Sequence, residues 1–298
     1  MAIVEAVEPV ARRRAGAALA ALRPRQWSKN LLLFAGLLFA TKTGDATRWA
    51  EAIAAFVAYC AASSASYLVN DVRDAPYDRL HPVKCRRPVA SGELAPRTAV
   101  VLAAVLAAAA LGIAGALGLG SLAYLLGFLA LQAAYTGALK HVVLIDVMAI
   151  GGLFVLRAAA GAQAVHVPIS PWLLLCTALL ALFLGLAKRR GELVLVGAEE
   201  TPGRPVLEGY SLALVDQLVS VVAASTVIAY SLYTFTARDS KAMMATIPFV
   251  FFGVFRYLLL IHRQDAGEEP ENVLLSDLPI GATVVLWAAT SAAILAWT

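Results

Sequence analysis

The chain alternates between long apolar runs and short polar breaks, and the runs are too long and too uniform for strands or ordinary surface helices. Windows of about twenty residues with no charge or a single one have the length that crosses a bilayer as helix. They predict nine spans, near 31–40, 48–69, 98–118, 121–138, 142–163, 171–187, 211–235, 243–262 and 279–297. The first is short on apolar residues alone and is expected to begin near Trp27, an aromatic suited to the headgroup level. Residues 1–22 read as a loosely held cytosolic arm and residues 23–298 as a single transmembrane helical domain. The expected fold class is therefore all-α, a polytopic membrane protein with its helices in one bundle.

Composition and charge support this and orient it. Of 298 residues, 60% are hydrophobic and 15% charged, against about a quarter charged in soluble domains, which excludes an ordinary soluble domain. The connections at 41–47, 118–121, 164–170 and 236–242 are short, whereas those at 70–97, 188–210 and 263–278 are long and charged. The arm and the even-numbered connections hold 18 of the 24 Lys and Arg; only Lys42, Arg48, Arg238 and Lys241 lie in the opposite loops, and Arg157 and Arg256 fall inside spans. The positive-inside rule then places the N-terminus and the long loops in the cytosol and the C-terminus outside, as an odd number of spans requires.

Several chemistries find no support. Glu5, Glu8 and Arg12 to Arg14 precede any long apolar core, so no cleavable signal peptide is expected. Cys60, Cys85 and Cys176 have neither paired nor zinc-type spacing, and His81, His141, His166 and His262 lie in or beside loops without metal-ligand spacing. No serine–histidine–aspartate arrangement or Gly-rich phosphate loop is visible, and no nucleic acid is expected as a partner.

The chemistry gathers instead in one polar stretch. If the second span continues as helix, Asn70, Asp74 and Asp78 fall at i, i+4 and i+8 on one face, with Asp71 bordering it and Tyr67 one turn earlier. Oxygen-only ligands suit Mg²⁺, and a helix C-terminus favours cations. Asn70, Asp71, Asp74 and Asp78 are thus candidate metal ligands. A solvated helix end would explain one Asp better than an amide and three carboxylates in this spacing. Lys84, Arg86 and Arg87 follow, placed either to pair with phosphate oxygens or only to orient the chain. Lys188-Arg189-Arg190-Gly191-Glu192, at the cytosolic end of the sixth span, either holds a phosphate or stops the span, and Arg204 lies further along that loop. Lys140 and Asp146 bracket the start of the fifth span. Asp146 and Arg157 are about three helical turns apart and share a face; an ionisable residue inside a span is a candidate functional group, the alternative being an ion pair between neighbouring helices. Arg256 has no evident companion.

Asn-Asp-x-x-Asp-x-x-x-Asp at the end of the second of nine spans resembles the first aspartate motif of the UbiA superfamily of intramembrane prenyltransferases. The resemblance takes in Arg-Pro-x-Gln-Trp-x-Lys-Asn, which contains Lys29 and Asn30, and His-Pro-x-Lys-x-Arg-Arg-Pro after the motif. Typical members carry a second aspartate motif at the end of the sixth span, and the two motifs hold a prenyl diphosphate through two metal sites. Here that position is basic, Lys188-Arg189-Arg190-x-Glu192. With Tyr135-x-x-x-x-Lys140, Asp146-Val147 and Arg157-Ala158-Ala159-Ala160-Gly161, the pattern resembles the branch that moves phosphoribose from phosphoribosyl diphosphate to decaprenyl phosphate in the bacterial plasma membrane. That resemblance implies a Mg-dependent pentosyltransferase in the pathway to the lipid-linked arabinose donor of cell-wall arabinan, with a homotrimer as a plausible assembly. It implies Asp71, Asp74 and Asp78 as the catalytic carboxylates. The substrate-binding set is Lys29, Asn30, Tyr67, Lys84, Arg86, Arg87, Tyr135, Lys140, Asp146, Arg157, Lys188, Arg189, Arg190 and Glu192. A UbiA-type enzyme moving a prenyl group to an aromatic acceptor is the alternative, disfavoured by the missing second motif. A transporter would instead place charges near the bilayer midplane in related halves.

Overall fold

The computed structural model of the chain describes residues 10–39, 45–80, 84–199, 205–236, 240–263 and 276–297. Lys42, His81, Arg204 and Arg238 lie outside the described residues, as does the middle of the last long loop. Among the described residues the regular structure is entirely helical. It comprises α1 (Val10–Leu22), a 3₁₀ segment (Pro24–Phe34) running into α2 (Ala35–Phe39), α3 (Ala46–Asp78), α4 (Pro96–Ala116), α5 (Leu119–Gly137), α6 (Ile145–Ala164), α7 (Pro171–Glu199), α8 (Leu212–Thr236), α9 (Ile247–Arg263) and α10 (Leu278–Trp297). Short 3₁₀ turns cover Lys84–Arg86, Leu139–His141, Pro205–Gly209 and Ala242–Thr246.

Among the described residues, eight helices are long and apolar enough to cross a membrane, which bears out eight of the nine expected spans. The first behaves differently. Its eleven 3₁₀ residues rise about 2.0 Å each and the five of α2 about 1.5 Å each, so sixteen residues reach about 30 Å, the thickness of the hydrocarbon core. The tighter winding explains how so short an apolar run covers that distance. 3₁₀ runs of this length are uncommon because their hydrogen bonds are poorly aligned, and this one is held by its neighbours. Trp27 Nε1 donates to Ser64 Oγ of α3 at 3.0 Å. Gly36 lies against α6, where an added Cβ would stand 2.7 Å from Ala162 Cα, and a Cβ at Gly161 would run into the Leu33 carbonyl. Close backbone approach through small residues is how helices associate in lipid. Gly161→Ala is expected to destabilise the protein by about 1–3 kcal/mol or more through overpacking, seen as a lower midpoint of thermal unfolding in detergent; an unchanged midpoint would show that the segment can move away freely.

Residues 10–22, expected as part of a loose arm, form a helix that packs on α3 through Ala17 and Ala21, both buried. The other helix starts follow local rules. Asp45 caps α3, accepting from Thr47 N–H at 2.9 Å; Pro96 opens α4; Ser211 caps α8, accepting from Leu214 N–H; and Asp277 caps α10, accepting from Ile280 N–H at 2.9 Å.

α3 and α6 are the central helices, more than half buried over their apolar windows, whereas α10 is almost wholly peripheral. One apolar core joins α3, α4, α5 and α6 through Tyr59, Leu125, Phe128 and Leu153. A second joins α6 to α7, α8 and α9 through Val147, Phe183, Val219 and Tyr257. α6 takes part in both cores, through Leu153, Ala160 and Ala164 in the first and Val147 in the second. The acidic face and the buried Arg157 and Asp146 described next all lie on α3 or α6.

Candidate active site

On α3 the residues Tyr67, Asn70, Asp71, Asp74 and Asp78 span about a third of the helix circumference. Asp71 and Asp78 are buried, and Asn70 and Asp74 are half-buried. The buried pair is held by arginines from both flanks. Arg23 sits at a left-handed residue (φ 54°) between α1 and the 3₁₀ segment. That turn brings its guanidinium over the Tyr67 ring, 4.8 Å from the centroid, and 2.5 Å from Asp71 Oδ1. From the other side, the turn at Lys84–Arg86 folds the chain back, so that Arg87 Nη1 lies 2.7 Å from Asp78 Oδ2 and 3.5 Å from Asp71 Oδ1. Arg79 Nε donates to the Ala90 carbonyl at 3.3 Å and ties the same loop to α3. Arg86 is exposed and Lys84 half-buried at the rim.

Asp74 lies between these pairs, and among the described residues no cation pairs with it. Asn70 Nδ2 reaches Thr136 Oγ1 at the end of α5, 3.4 Å away. The four-residue oxygen set fits a hard divalent cation in its chemistry. Asp71 Oδ2 is buried without a hydrogen-bond partner, an arrangement that costs stability unless something receives it. Among the described residues, however, no three His, Cys, Asp or Glu side chains converge, because Asp71 and Asp78 are turned toward Arg23 and Arg87.

The basic end of α7 is organised differently from a phosphate cradle. Arg189, 1% exposed, lies 2.7 Å from Asp146 Oδ2 and also pairs with Glu192. Asp146 is completely buried at the start of α6, and its other oxygen accepts from the Tyr210 hydroxyl at 2.7 Å. The same hydroxyl accepts from Leu144 N–H at 2.7 Å, steadying a residue with φ 67°. Burial and the Asp146 carboxylate together push the Tyr210 hydroxyl up to about 12, so it stays a donor. Arg190 lies 2.8 Å from Asp216 Oδ1 of α8 and donates to the Ile261 carbonyl of α9 at 2.6 Å. Arg189, Arg190, Asp146 and Glu192, expected to bind substrate, thus join α6, α7, α8 and α9. Asp146 makes an interhelical ion pair, with Arg189 of α7 rather than with Arg157. Lys188 and Lys140 are half-buried at the same end of the bundle, and Tyr135 lies within electrostatic reach of Arg189.

Arg157 of α6 is 6% exposed. Its Nε donates to Asn30 Oδ1 at 2.8 Å and its Nη1 to the Leu153 carbonyl at 3.1 Å. Its guanidinium lies over the rings of Phe128 and Phe154, at 4.7 and 5.3 Å. Asn30, fully buried, also donates to Cys60 Sγ at 3.3 Å, and Lys29 beside it donates to Gln26 Oε1 at 2.6 Å. Arg256, expected to lack a companion, pairs with Asp277 at 2.9 Å, and that guanidinium holds the Asp277 carboxyl below the usual carboxylate range.

The structure therefore brings together Asn30, Tyr67, Asn70, Asp71, Asp74, Asp78, Arg87 and Arg157 around α3 and α6. It adds Arg23, Thr136, Tyr210 and Asp216, none of them expected as site or framework residues. Arg23 carried a signal, since it stands in the same Arg-Pro-x-Gln-Trp run as Lys29. Tyr210 and Asp216 carried none, because their partners are remote in sequence.

The pattern of the UbiA prenyltransferase family matches residues 30–278. Decaprenyl-phosphate phosphoribosyltransferase of Mycolicibacterium smegmatis is 35% identical over 286 residues, covering 91% of this chain and 89% of that protein. The enzyme of the same name from Mycobacterium tuberculosis strain H37Rv is 34% identical, with 93% of each chain covered. A solved structure of a UbiA homolog from Archaeoglobus fulgidus bound to DMAPP and Mg²⁺ superposes with a TM-score of 0.72 at 20% identity, over 94% of this chain and 99% of that one. The helix order, the α3 acidic face and the family match agree, and the chain belongs to the UbiA prenyltransferase family.

Proposed function

We propose that this chain transfers 5-phosphoribose from phosphoribosyl diphosphate to decaprenyl phosphate, or a similar polyprenyl phosphate, releasing diphosphate, on the route to the lipid-linked arabinose donor of cell-wall arabinan. The observation that carries the reading is the inequality of two helix ends. α3 ends in carboxylates, whereas α7 ends in Lys188, Arg189 and Arg190. A prenyltransferase of the usual kind places carboxylates at both. The mycobacterial relatives, alike over about nine-tenths of the chain, are named for the phosphoribosyl reaction.

Asn70, Asp71, Asp74 and Asp78 would hold Mg²⁺, which when bound supplies positive charge to a diphosphate leaving group. Arg23 and Arg87 orient Asp71 and Asp78 and offset their charge. Lys84 and Arg86 stand at the rim to receive an anionic donor, while Lys140 and Lys188 approach from α5 and α7. In the reaction the bond between C1 of the ribose and the diphosphate oxygen breaks, and diphosphate leaves with the bonding electrons. An oxygen of the lipid phosphate forms the new bond to C1. A phosphate monoester is largely ionised at neutral pH, with a second pKa of about 6, so no strong general base is required. The side chains contribute by positioning and fixed charge. The charge bias of the loops supports an orientation with the N-terminus and the α3 acidic end in the cytosol, where a soluble donor is available.

The test is a transfer assay in membranes containing the chain, with labelled phosphoribosyl diphosphate, decaprenyl phosphate and Mg²⁺. The expected product is a labelled lipid with the mass of decaprenyl phosphate plus 5-phosphoribose. Product from prenyl diphosphate and an aromatic acid instead, or no lipid product from either donor, overturns the reading.

A further inference from the structure

We propose that Arg157, with Asn30 and the Tyr59 hydroxyl, forms a seat for a phosphate monoester inside the acidic mouth, with Tyr67 on the side facing Asn70. The inference rests on the phosphoribosyl-transfer reading for the identity of the ligand and on geometry for the site.

The guanidinium is a buried cation whose contacts are all neutral: an amide oxygen, a backbone carbonyl and two aromatic faces. Among the described residues no carboxylate pairs with it, and its Nη2 makes no hydrogen bond. A charge taken out of water is costly unless paired, and an ionisable residue within a membrane span marks a ligand path. A second, independent observation points the same way. The Tyr59 hydroxyl, on a residue 3% exposed, has no hydrogen-bond partner, and its ring lies 5.1 Å from that of Phe128, over which the Arg157 guanidinium stacks. Tyr67, within electrostatic reach of Arg157, carries Arg23 over its ring and makes no hydrogen bond among the described residues. A cation with an unused nitrogen beside a buried hydroxyl without an acceptor calls for a compact anion with several oxygens.

The chemistry narrows the choice. Two anions enter the reaction besides the diphosphate at the acidic face, the 5-phosphate of the donor and the phosphate of the lipid, and both are phosphate monoesters. Guanidinium suits such a group because its planar fork matches two phosphate oxygens. Asn30 and the Leu153 carbonyl hold that fork in place by accepting from Nε and Nη1, which leaves Nη2 for the ligand.

The experiment uses the full chain in detergent or nanodiscs, with Arg157→Met, which removes the charge and keeps an unbranched side chain against Phe128 and Phe154. Without ligand, the variant is expected to unfold at or above the wild-type Tm, since an unpaired buried charge is gone. Millimolar inorganic phosphate or ribose 5-phosphate is expected to raise the wild-type Tm and not that of the variant. In turnover, KM for one substrate is expected to rise about 10- to 100-fold. A rise for phosphoribosyl diphosphate assigns the seat to its 5-phosphate, and a rise for the polyprenyl phosphate assigns it to the lipid. Phosphate protection that persists in Arg157→Met, or both KM values unchanged, overturns the proposal. If Arg157→Met does not fold, Tyr59→Phe decides, because removing an unpartnered hydroxyl takes nothing from the fold. A KM about tenfold higher for one substrate supports the seat, and unchanged KM for both overturns it. A wild-type protein that binds phosphate through Arg157 but forms no phosphoribosyl lipid would refute the reaction and leave the seat standing.

Discussion

Asp74→Ala is expected to lower Mg²⁺-dependent transfer about 100- to 1000-fold while leaving the protein folded. Asp74 lies at the centre of the α3 face and, among the described residues, pairs with no cation, so its removal breaks no ion pair. Asp71 and Asp78 keep Arg23 and Arg87, and the loop after α3 keeps its attachment through Arg79 and Ala90. Labelled lipid formation at saturating Mg²⁺ measures the loss, and thermal unfolding in detergent checks the fold. Turnover near the wild-type rate would place the metal away from this face. A large fall in the unfolding midpoint would make Asp74 a framework residue instead.

Arg189→Ala is expected to act in the opposite order, on the fold first. It leaves Asp146 fully buried with only the Tyr210 hydroxyl and takes from Glu192 its contact with Arg189. Breaking a buried ion pair from one side costs about 3–5 kcal/mol. Asp146→Ala leaves the same guanidinium with Glu192 and should cost less than Arg189→Ala. Removing both together should cost less than the sum of the single losses, because neither Asp146 nor Arg189 is then left buried without the other. The measurement is a double-mutant cycle on unfolding midpoints. Strictly additive losses would show that the 2.7 Å contact contributes nothing by itself. A raised KM with little change in stability would instead make Arg189 a phosphate ligand.

The contrast between these two residues shows what could be read along the chain. The spans were legible because each is a long run of one kind of residue. The acidic face of α3 was legible because helical spacing alone puts Asn70, Asp74 and Asp78 together. Neither needs knowledge of a neighbour. Arg189 and Arg190 looked like ligands because a cluster of cations at a helix end has no local explanation. Asp146 lies 43 residues from Arg189, and Asp216 lies 26 from Arg190. Arg256 likewise hid its pairing with Asp277 across the last long loop. The start of the first span near Trp27 was legible from that aromatic, but an apolar run gives no sign that it will wind as a 3₁₀ helix. That depends on Gly36 and Gly161, which come together only once α6 is in place.

The length of α3 has one more consequence. Its 33 residues extend about 50 Å, whereas the hydrocarbon core is about 30 Å thick. Upright in a bilayer, α3 would extend about 20 Å beyond the core, divided between its two ends, and Asn70 to Asp78 occupy the last turns of one of them. Tilt takes up part of such an excess, so the depth of the carboxylates is coupled to the thickness of the layer. A thicker bilayer would draw them toward hydrocarbon and a thinner one would lift them into water. The working height of the acidic face thus belongs jointly to the protein and to the acyl chains around it.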